Sequence, residues 1–524
     1  SDIVNPSLEA VDEYWWELVI HTGSLVVWAV GHQCALYSGA RVRQDVPEHC
    51  GRISYAGPGF CVGDRVKEMR NWALLLGPLL ALVVAASLAQ GGQGQDMAVV
   101  AFVAVLCVVW WVFEPIPIPV TSLLPLAVLP LAGVLTPAQV GQAYGSPLIL
   151  LLLGGFLLSK AMEHSGAHRR IALGMVALFG ASSGRRLVLG FMVAAALLSM
   201  WISNTATTLM LLPVALAVLD ASDDRERLAV PLLLGIAYAA SVGGLGTPIG
   251  TPPNLIFMQV YEETTGVSIS FTRWMSWALP VVVIMVPAMA FILTRKMQGA
   301  LRVQLPDVGS WRTEERRVMA VFALTALAWI TRSEPFGGWK TWLDLPQAND
   351  ASVALLAVVL MFVVPNGRGQ SLLTWERAAT IPWGVLLLFS GGICLAKGFV
   401  SSGMSELMGQ WLADMTRMPL YVLIALVCLV VTFMTETTSN TASTTLLMPV
   451  LAAAALAAGL PPEVIMVPAA MSASCAFMLP VATAPNSVVF GSGLVSTARM
   501  AREGFLLNLL GALVISLVCY LLLT

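Results

Sequence analysis

The sequence predicts an all-α polytopic membrane protein whose two halves repeat each other in inverted orientation. Of its 524 residues, 57% are hydrophobic and 11% are charged, whereas a soluble domain carries about 25% charged residues. Many apolar runs approach the roughly 20 residues that a helix needs to cross a bilayer. The tripeptide Ser-Asn-Thr occurs twice, starting at Ser203 and at Ser439, each time between two apolar segments. A membrane protein with a duplicated polar centre is therefore expected.

Composition also excludes several classes of function. The formal net charge of −2 argues against a nucleic-acid partner. The cysteines of the apolar segments have no paired spacing that would indicate a zinc site or a redox pair, so we expect them to be buried as small hydrophobic side chains. These cysteines are Cys107, Cys394, Cys428, Cys475 and Cys519.

Residues 1–63 differ from the rest of the chain. They are richer in charged residues and lack the long apolar runs that follow. Their one apolar stretch, 18–37, is interrupted by His21 and His32. We expect a poorly ordered extension, or one that is not native to the protein, with a small accessory domain as the alternative. Residues 64–524 are expected to form the membrane protein proper.

Eleven apolar runs after residue 63 are expected to cross the membrane as helices. They lie near residues 72–90, 97–114, 119–135, 147–162, 228–260, 274–294, 318–331, 351–364, 383–398, 464–490 and 504–523. Shorter apolar arms flank each Ser-Asn-Thr copy. Because polar, irregular backbone at membrane depth is tolerated only inside protein or beside a cavity, we expect two re-entrant hairpins, at 187–219 and at 418–457.

The basic residues set the orientation of these helices. With the N-terminus in the cytoplasm, nearly all arginines and lysines of the loops fall on the cytoplasmic side, as the positive-inside rule requires. The densest loop holds Arg295, Lys296, Arg302, Arg312, Arg316 and Arg317. Arg417 is a small exception. This topology predicts that hairpin 187–219 opens from the cytoplasm and hairpin 418–457 from the opposite face.

Three sets of matching residues predict an inverted repeat of 64–294 and 295–524. Gly154, Gly155 and Lys160 recur as Gly391, Gly392 and Lys397, and Asn204 recurs as Asn440. The segment 250–254, Gly-Thr-Pro-Pro-Asn, recurs at 482–486 as Ala-Thr-Ala-Pro-Asn. Halves of opposite orientation that each carry a broken helix are typical of secondary transporters with a binding site at the bilayer midplane.

The residue types at these breaks predict which ligands bind there. Pro252 and Pro253 remove backbone donors, and the nearby glycines permit unwinding. Freed carbonyls beside hydroxyl groups and an amide oxygen suit a small alkali cation such as sodium, and the helix N-termini beyond them suit an anion. Neither motif contains an arginine or a lysine. Bound cations and helix dipoles would then balance an anionic substrate, which would couple the two ligands.

From about residue 70 to its end, the chain resembles the divalent anion–sodium symporter family of dicarboxylate and citrate carriers. The paired Ser-Asn-Thr motifs and paired Thr-Pro loops carry this resemblance, although Ala484 stands where the family usually has proline. The resemblance implies eleven helices, two re-entrant hairpins, a homodimer in the inner (plasma) membrane, and a transport domain that moves as an elevator. C4-dicarboxylates such as succinate, malate or fumarate would be imported with sodium ions.

Matched residue by residue, the resemblance also implies the binding sites. The sodium sites would be formed by Ser199, Ser203, Asn204 and the Gly250 carbonyl in the first half, and by Thr435, Ser439, Asn440 and the Ala482 carbonyl in the second. The substrate carboxylates would meet Asn204, Thr205, Thr251, Pro252, Asn440, Thr441 and Thr483.

The same fold leaves two alternatives open, a sodium-independent anion exchanger and a sulfate carrier. An exchanger should lose oxygen ligands, yet both halves keep them at Ser199 and Thr435. A membrane enzyme or a channel is a different class, but no Ser/His/Asp set or ring of polar residues favours either. Lys160 and Lys397 could face the substrate, but both lie near helix ends, so we expect them to extend to the membrane interface instead. Several tryptophans, Trp274 and Trp277 among them, are expected to lie there too.

Overall fold

The computed structural model of the chain describes residues 62–180, 183–222, 224–297, 309–333, 337–407 and 418–524. The extension expected at 1–63 therefore lies almost wholly outside the described residues. Within those ranges the regular secondary structure is helical, and one isolated bridge pairs Pro365 with Ser371. The predicted all-α class is confirmed for the described part of the chain.

The described helices of the first half are α1 (Val62–Gln90), α2 (Gln95–Phe113), α3 (Ile118–Thr121), α4 (Leu123–Leu131), α5 (Pro137–Tyr144), α6 (Pro147–Ser165), α7 (Ala167–Phe179), α8 (Gly184–Ser199), α9 (Asn204–Asp220), α10 (Arg225–Gly243), α11 (Pro252–Thr265) and α12 (Phe271–Leu293). Those of the second half are α13 (Thr313–Ile330), α14 (Gly338–Trp342), α15 (Asp350–Val363), α16 (Trp375–Ala378), α17 (Trp383–Ser401), α18 (Leu420–Met434), α19 (Asn440–Ala457), α20 (Glu463–Ser472), α21 (Ala484–Phe490) and α22 (Thr497–Leu523).

By length and composition alone, eight helical stretches of the described residues can cross a membrane. They are Arg70–Gln90, Gln95–Phe113, Pro137–Ser165, Arg225–Gly246, Phe271–Leu293, Trp383–Ser401, Asn440–Ala457 and Thr497–Leu523. Five further apolar helices are shorter than a full crossing. The chain is thus a multi-pass membrane protein, and the count of eleven crossings stays a prediction.

Each Ser-Asn-Thr copy ends one helix and starts the next. Helix α8 ends at Ser199, and Ser203 caps α9 by accepting a hydrogen bond from the Ala206 N–H at 3.2 Å. Ser439 caps α19 in the same way, through the Ala442 N–H at 3.5 Å. The first N–H groups of a helix have no intrahelical partner, so the serine hydroxyl satisfies one of them. The polar tip between each pair of arms is therefore built by helix capping.

The broken helices also match between the halves. Helix α10 leads through a 3₁₀ turn at Gly244–Gly246 to α11, whose N-cap is Thr251. Helix α20 leads to α21, whose N-cap is Thr483. The two threonines have nearly the same backbone angles, φ −147° and ψ 144° for Thr251 and φ −140° and ψ 151° for Thr483. The two loops thus enter their second helices with one geometry.

The four interrupted segments meet because each hairpin packs on the broken helix of the other half. Helix α9 of the first hairpin contacts α21, and helix α19 of the second hairpin contacts α11. Helix α10 also contacts α21, and α11 contacts α20. These reciprocal contacts interlock the two halves around the polar tips.

Corresponding surfaces of the two halves are not packed alike. Gly392 of α17 lies directly against α19, so that a Cβ added there would sit 2.1 Å from Cγ2 of Thr445. Its counterpart Gly155 of α6 faces Ile249 of the first loop instead. Thr445 is accordingly 3% exposed, whereas the matching Leu209 of α9 is 54% exposed. Helix α9 lines an open cavity where α19 is covered.

Candidate functional site

Oxygen atoms converge at the tip of the first hairpin. One amide atom of Asn204, Oδ1 as the side chain is placed, lies 2.6 Å from Ser199 Oγ. The same atom is 3.3 Å from the carbonyl oxygens of Gly250 and of Ala240. The structure thus brings together three of the four predicted ligands of the first sodium site, and it adds the Ala240 carbonyl. Ser203, the fourth, caps α9.

The Asn204 amide can face this cluster in two ways. With Nδ2 toward it, the amide donates hydrogen bonds to Ser199, Gly250 and Ala240. With Oδ1 toward it, oxygens face one another and a bound cation is needed to offset their repulsion. Hydroxyl, amide and carbonyl oxygens are hard, uncharged ligands, so the cluster suits an alkali cation. We call the Ser199 hydroxyl, the Asn204 amide and the carbonyls of Gly250 and Ala240 the first cage.

Glycine is required on two sides of the first cage. A Cβ at Gly250 would lie 2.4 Å from the Gly244 carbonyl oxygen, and a Cβ at Gly244 would lie 2.6 Å from Asn204 Oδ1. Real Cβ atoms essentially never approach so closely. The absence of side chains at these positions therefore lets the loop backbone reach the Asn204 amide.

Asn254 holds the first loop in shape. Its Nδ2 donates to the carbonyl oxygens of Gly244 at 3.0 Å and Thr247 at 2.8 Å. Asn486 does the same in the second loop, donating to Ala476 at 3.1 Å and Leu479 at 3.0 Å. Both asparagines are fully buried. Loop carbonyls without helical partners are satisfied by these amides, so the loops persist as irregular backbone.

The indole of Trp274 also braces the first loop, where the sequence predicted an interfacial residue. Trp274 is fully buried and donates from Nε1 to the Leu245 carbonyl oxygen at 2.8 Å, and Trp277 is buried as well. Both tryptophans are thus packed inside the protein, and Trp274 satisfies a loop carbonyl; their depth in the membrane stays a prediction.

The predicted residues of the second cation site are less tightly gathered. Thr435 is buried at the end of α18 and donates to the Thr432 carbonyl oxygen at 3.1 Å. Asn440 Oδ1 is buried without a hydrogen-bond partner. Ala482 directly precedes the N-cap of α21. No hydrogen bond joins these three residues in the described part of the chain, and the orphaned Asn440 oxygen is the feature that suits a cation.

Glu436 is a further residue of the site, and the sequence alone predicted no role for it. Its carboxylate is 3% exposed. Oε1 accepts from the N–H groups of Phe477 at 2.7 Å and Met478 at 2.9 Å, and Oε2 accepts from Leu479 at 3.0 Å. Asn508 Nδ2 donates to Oε1 at 2.7 Å. The carboxylate thus ties the second hairpin to the second loop and to α22. The one indication in the sequence is that a glutamate stands in the second motif at the position where the first motif has Met200.

The predicted substrate residues lie at the hairpin tips and at the starts of the helices beyond the loops. Thr205 lines a cavity beside α9. Thr251 and Thr483 are both buried. The Thr483 hydroxyl accepts from the Asn486 N–H at 3.3 Å, whereas Thr251 makes no such capping bond. Thr441 accepts at its carbonyl from Thr445. The remaining predicted contacts are the first residues of their helices, namely Asn204 of α9, Pro252 of α11 and Asn440 of α19.

Each of the two repeated lysines pairs with a glutamate. Lys160 Nζ lies 2.8 Å from Oε2 of Glu163, one turn along the same helix, and Lys397 Nζ lies 3.8 Å from Oε1 of Glu263 on α11. Lys160 also lines the cavity that Thr205 lines. Lys160 and the first hairpin therefore line the same cavity, and the extension of Lys160 to the membrane interface stays a prediction.

Sequence comparison finds a matching family model and several transporters that are similar to this chain. A family model described as the sodium:sulfate symporter transmembrane region matches residues 69–523. The sodium-dependent dicarboxylate transporter SdcS of Staphylococcus saprophyticus is 39% identical over 472 residues, which cover 85% of this chain and 90% of that protein. SdcS of the Staphylococcus aureus strain bovine RF122 is 38% identical with the same coverage.

Two solved structures share the fold at low sequence identity. The YdaH transporter of Alcanivorax borkumensis has a TM-score of 0.50 at 16% identity, covering 74% of this chain and 86% of that one. MtrF of Neisseria gonorrhoeae, described within a class of antimetabolite efflux pumps, has a TM-score of 0.50 at 16% identity, covering 75% and 84%. These likenesses concern the fold alone.

Proposed function

This chain belongs to the family of the sodium:sulfate symporter transmembrane region, and from that membership we propose that it imports C4-dicarboxylates together with sodium ions across the plasma membrane. The relatives named for sodium-dependent dicarboxylate transport cover most of the chain and support this substrate class. Succinate, malate and fumarate are the proposed substrates.

The first cage is the observation that carries the proposal. A hydroxyl, an amide and two carbonyl groups meet there, and none of them is charged. A dianion at such a place needs positive charge from elsewhere, and sodium bound in the cage supplies it. The cation and the substrate then stabilise each other, which is the basis of coupled transport.

We assign the site residues their roles on this basis. The first sodium ion is held by Ser199, Asn204 and the carbonyls of Gly250 and Ala240, with Ser203 completing the hairpin tip. The second is held by Thr435, Ser439, Asn440 and the Ala482 carbonyl. The substrate carboxylates bind at the two hairpin tips and helix starts, through Asn204, Thr205, Thr251, Pro252, Asn440, Thr441 and Thr483.

Transport is proposed to follow an elevator mechanism. Eleven crossings and two re-entrant hairpins, with a cytoplasmic N-terminus and a homodimer, complete this proposal. The unequal packing of the two halves supports it, because an inverted repeat that alternates between two states must be asymmetric in each of them. The open cavity beside α9 and the covered surface of α19 fit a state that opens to the cytoplasm.

Uptake of labelled succinate into proteoliposomes tests the function. We expect accumulation with an inward sodium gradient, none with potassium in its place, and competition by malate and fumarate. Uptake that is equally fast without sodium would replace symport by anion exchange. Competition by sulfate, with no effect of other dicarboxylates, would identify a sulfate carrier of the same fold.

A further inference from the structure

A cavity of about 480 Å³ lies between helices α6 and α9. It reaches the first hairpin at Ser203 and Thr205, on either side of Asn204, and its other wall carries Lys160, Glu163 and His168. The cavity therefore connects the proposed binding site with a cluster of ionisable side chains that the proposed function does not use.

Lys160 supplies the positive charge of this cavity. Burial lowers the pKa of His168 below its usual value of 6.5, so that its ring is neutral at pH 7. The His168 Nδ1 atom is held 2.8 Å from the Met162 carbonyl oxygen. The Lys160 ammonium has three N–H donors, of which Glu163 occupies one at 2.8 Å. Both side chains of that pair are 29% exposed, so the pair is weak enough to open.

The inverted repeat argues that Lys160 does more than pair with Glu163. The lysine recurs as Lys397, but the residue that corresponds to Glu163 is Val400. Lys397 instead meets Glu263, which comes from α11. Each half thus keeps the lysine at the same place relative to its glycine pair while the acidic partner changes. The lysine, and not its pairing with an acidic residue of the same helix, is therefore the part of the arrangement that both halves share.

We propose that Lys160 is a carboxylate-binding residue of the cytoplasmic cavity, which exchanges Glu163 for a substrate carboxylate as the dicarboxylate leaves the hairpin. This inference rests on the proposed function, because it needs an anionic substrate that passes Thr205 and Ser203. Glu163 competes with the substrate for the ammonium group, so the dianion is bound weakly enough to be released.

Affinity measured separately at the two membrane faces tests this proposal. In proteoliposomes of known orientation, Lys160→Met is expected to weaken the apparent affinity for succinate at the cytoplasmic face by about two- to fivefold, the effect of one part-exposed ionic contact. Glu163→Gln is expected to change it by a similar factor in the opposite direction, because it frees the lysine. Lys160→Arg should retain most of the affinity, and Lys397→Met should leave the cytoplasmic affinity unchanged.

The opposite signs separate ligand binding from structural pairing. If Lys160→Met and Glu163→Gln impair transport alike, the pair only braces α6 and the proposal is overturned. A change confined to the outer face would overturn it as well. Wild-type protein that takes up no succinate would refute the proposed function itself, which is a different result from normal wild-type transport with variants that behave alike.

Discussion

Asn204 illustrates how one side chain can serve two ligands. Its amide carries an oxygen that accepts and a nitrogen that donates, so the oxygen can contact a cation while the nitrogen meets a carboxylate. Its neighbours in the first cage are oxygens on one side, and Thr205 opens to a cavity on the other. The residue therefore stands where linkage between the two ligands would arise.

Gly244 controls access to the first cage. Gly244→Ala would place a methyl group 2.6 Å from Asn204 Oδ1 and 3.1 Å from the Gly250 carbonyl oxygen. We expect the apparent sodium affinity to fall at least about fivefold, because the methyl group competes with the cation for this space. Sodium titration of succinate binding measures the change.

Gly174→Ala is the matched control for this variant, because a Cβ at Gly174 meets no atom within 4 Å. The second loop already carries Ala476 at the position that corresponds to Gly244, so a methyl group is compatible with the loop fold. If the sodium affinity of Gly244→Ala is unaltered, the first cage is not where the cation binds.

Glu436 is expected to stabilise the second loop through its charge. In Glu436→Gln an amide NH₂ group would replace one oxygen and face an N–H donor, such as that of Leu479. Lost charge-assisted hydrogen bonds of this kind cost about 2–3 kcal/mol. The thermal unfolding midpoint of the purified protein should fall, whereas Glu406→Gln, at an exposed glutamate, should leave it unchanged. Equal midpoints for both variants would deny Glu436 this role.

The limits of sequence-based prediction are clear at single residues. Ser199, Asn204 and Gly250 of the first cage could be named in advance, because they lie in the duplicated motifs that carry the family resemblance. The Ala240 carbonyl and the donors to Glu436 could not, because they come from segments tens of residues away that only the fold brings near. The bracing role of Trp274 is hidden in the same way, because composition does not reveal that its indole donates to the Leu245 carbonyl.

At the scale of elements, the helix breaks at the motifs and loops were predicted, whereas several short helices, α5 and α7 among them, were not. The re-entrant course of the two hairpins stays a prediction. Helices α5 and α7 lie outside the long apolar runs, because α5 has only eight residues and α7 carries Arg169 and Arg170 in its first turn. Arg170 of α7 binds Glu315 of α13, with Nε 3.0 Å from Oε2. An amphipathic helix held by an ion pair gives no crossing signal in the sequence.

Ala484 departs from the family pattern without changing the loop. Thr483 already has the extended backbone that precedes a proline, and position 484 begins α21, where the N–H needs no intrahelical partner. We expect Ala484→Pro to raise the free energy of unfolding by about 0.4–1 kcal/mol, since it restricts only the unfolded chain. A thermal unfolding midpoint below wild type would contradict this account. Val488→Pro, inside α21, should be strongly destabilising by contrast.

At the scale of the whole molecule, the two halves share their sequence motifs, but corresponding side chains of the two hairpins differ in solvent exposure. Leu209 and Thr445 occupy corresponding positions, yet one is 54% exposed and the other 3%. Both halves share the reciprocal packing of hairpin on broken helix, α9 on α21 and α19 on α11. The difference in exposure therefore arises where the hairpins face helices α6 and α17.

Alternating access predicts that this difference reverses. In a background without its eight native cysteines, Leu209→Cys should react with a membrane-impermeant maleimide from the cytoplasmic side, and Thr445→Cys should be protected. Conditions that lower the reactivity of one position should raise that of the other from the outer side. Reactivities that rise and fall together would contradict an elevator that exchanges the two surfaces.

Dicarboxylate binding as a function of sodium concentration tests the central claim most directly. For wild type we expect succinate affinity to rise with sodium, and sodium affinity to rise with succinate by the same factor, typically about 5–150-fold. Asn204→Ala and Asn440→Ala should each weaken both ligands, while Asn349→Ala, a helix cap outside the site, should keep the linkage. Wild-type succinate binding that is indifferent to sodium would contradict the account.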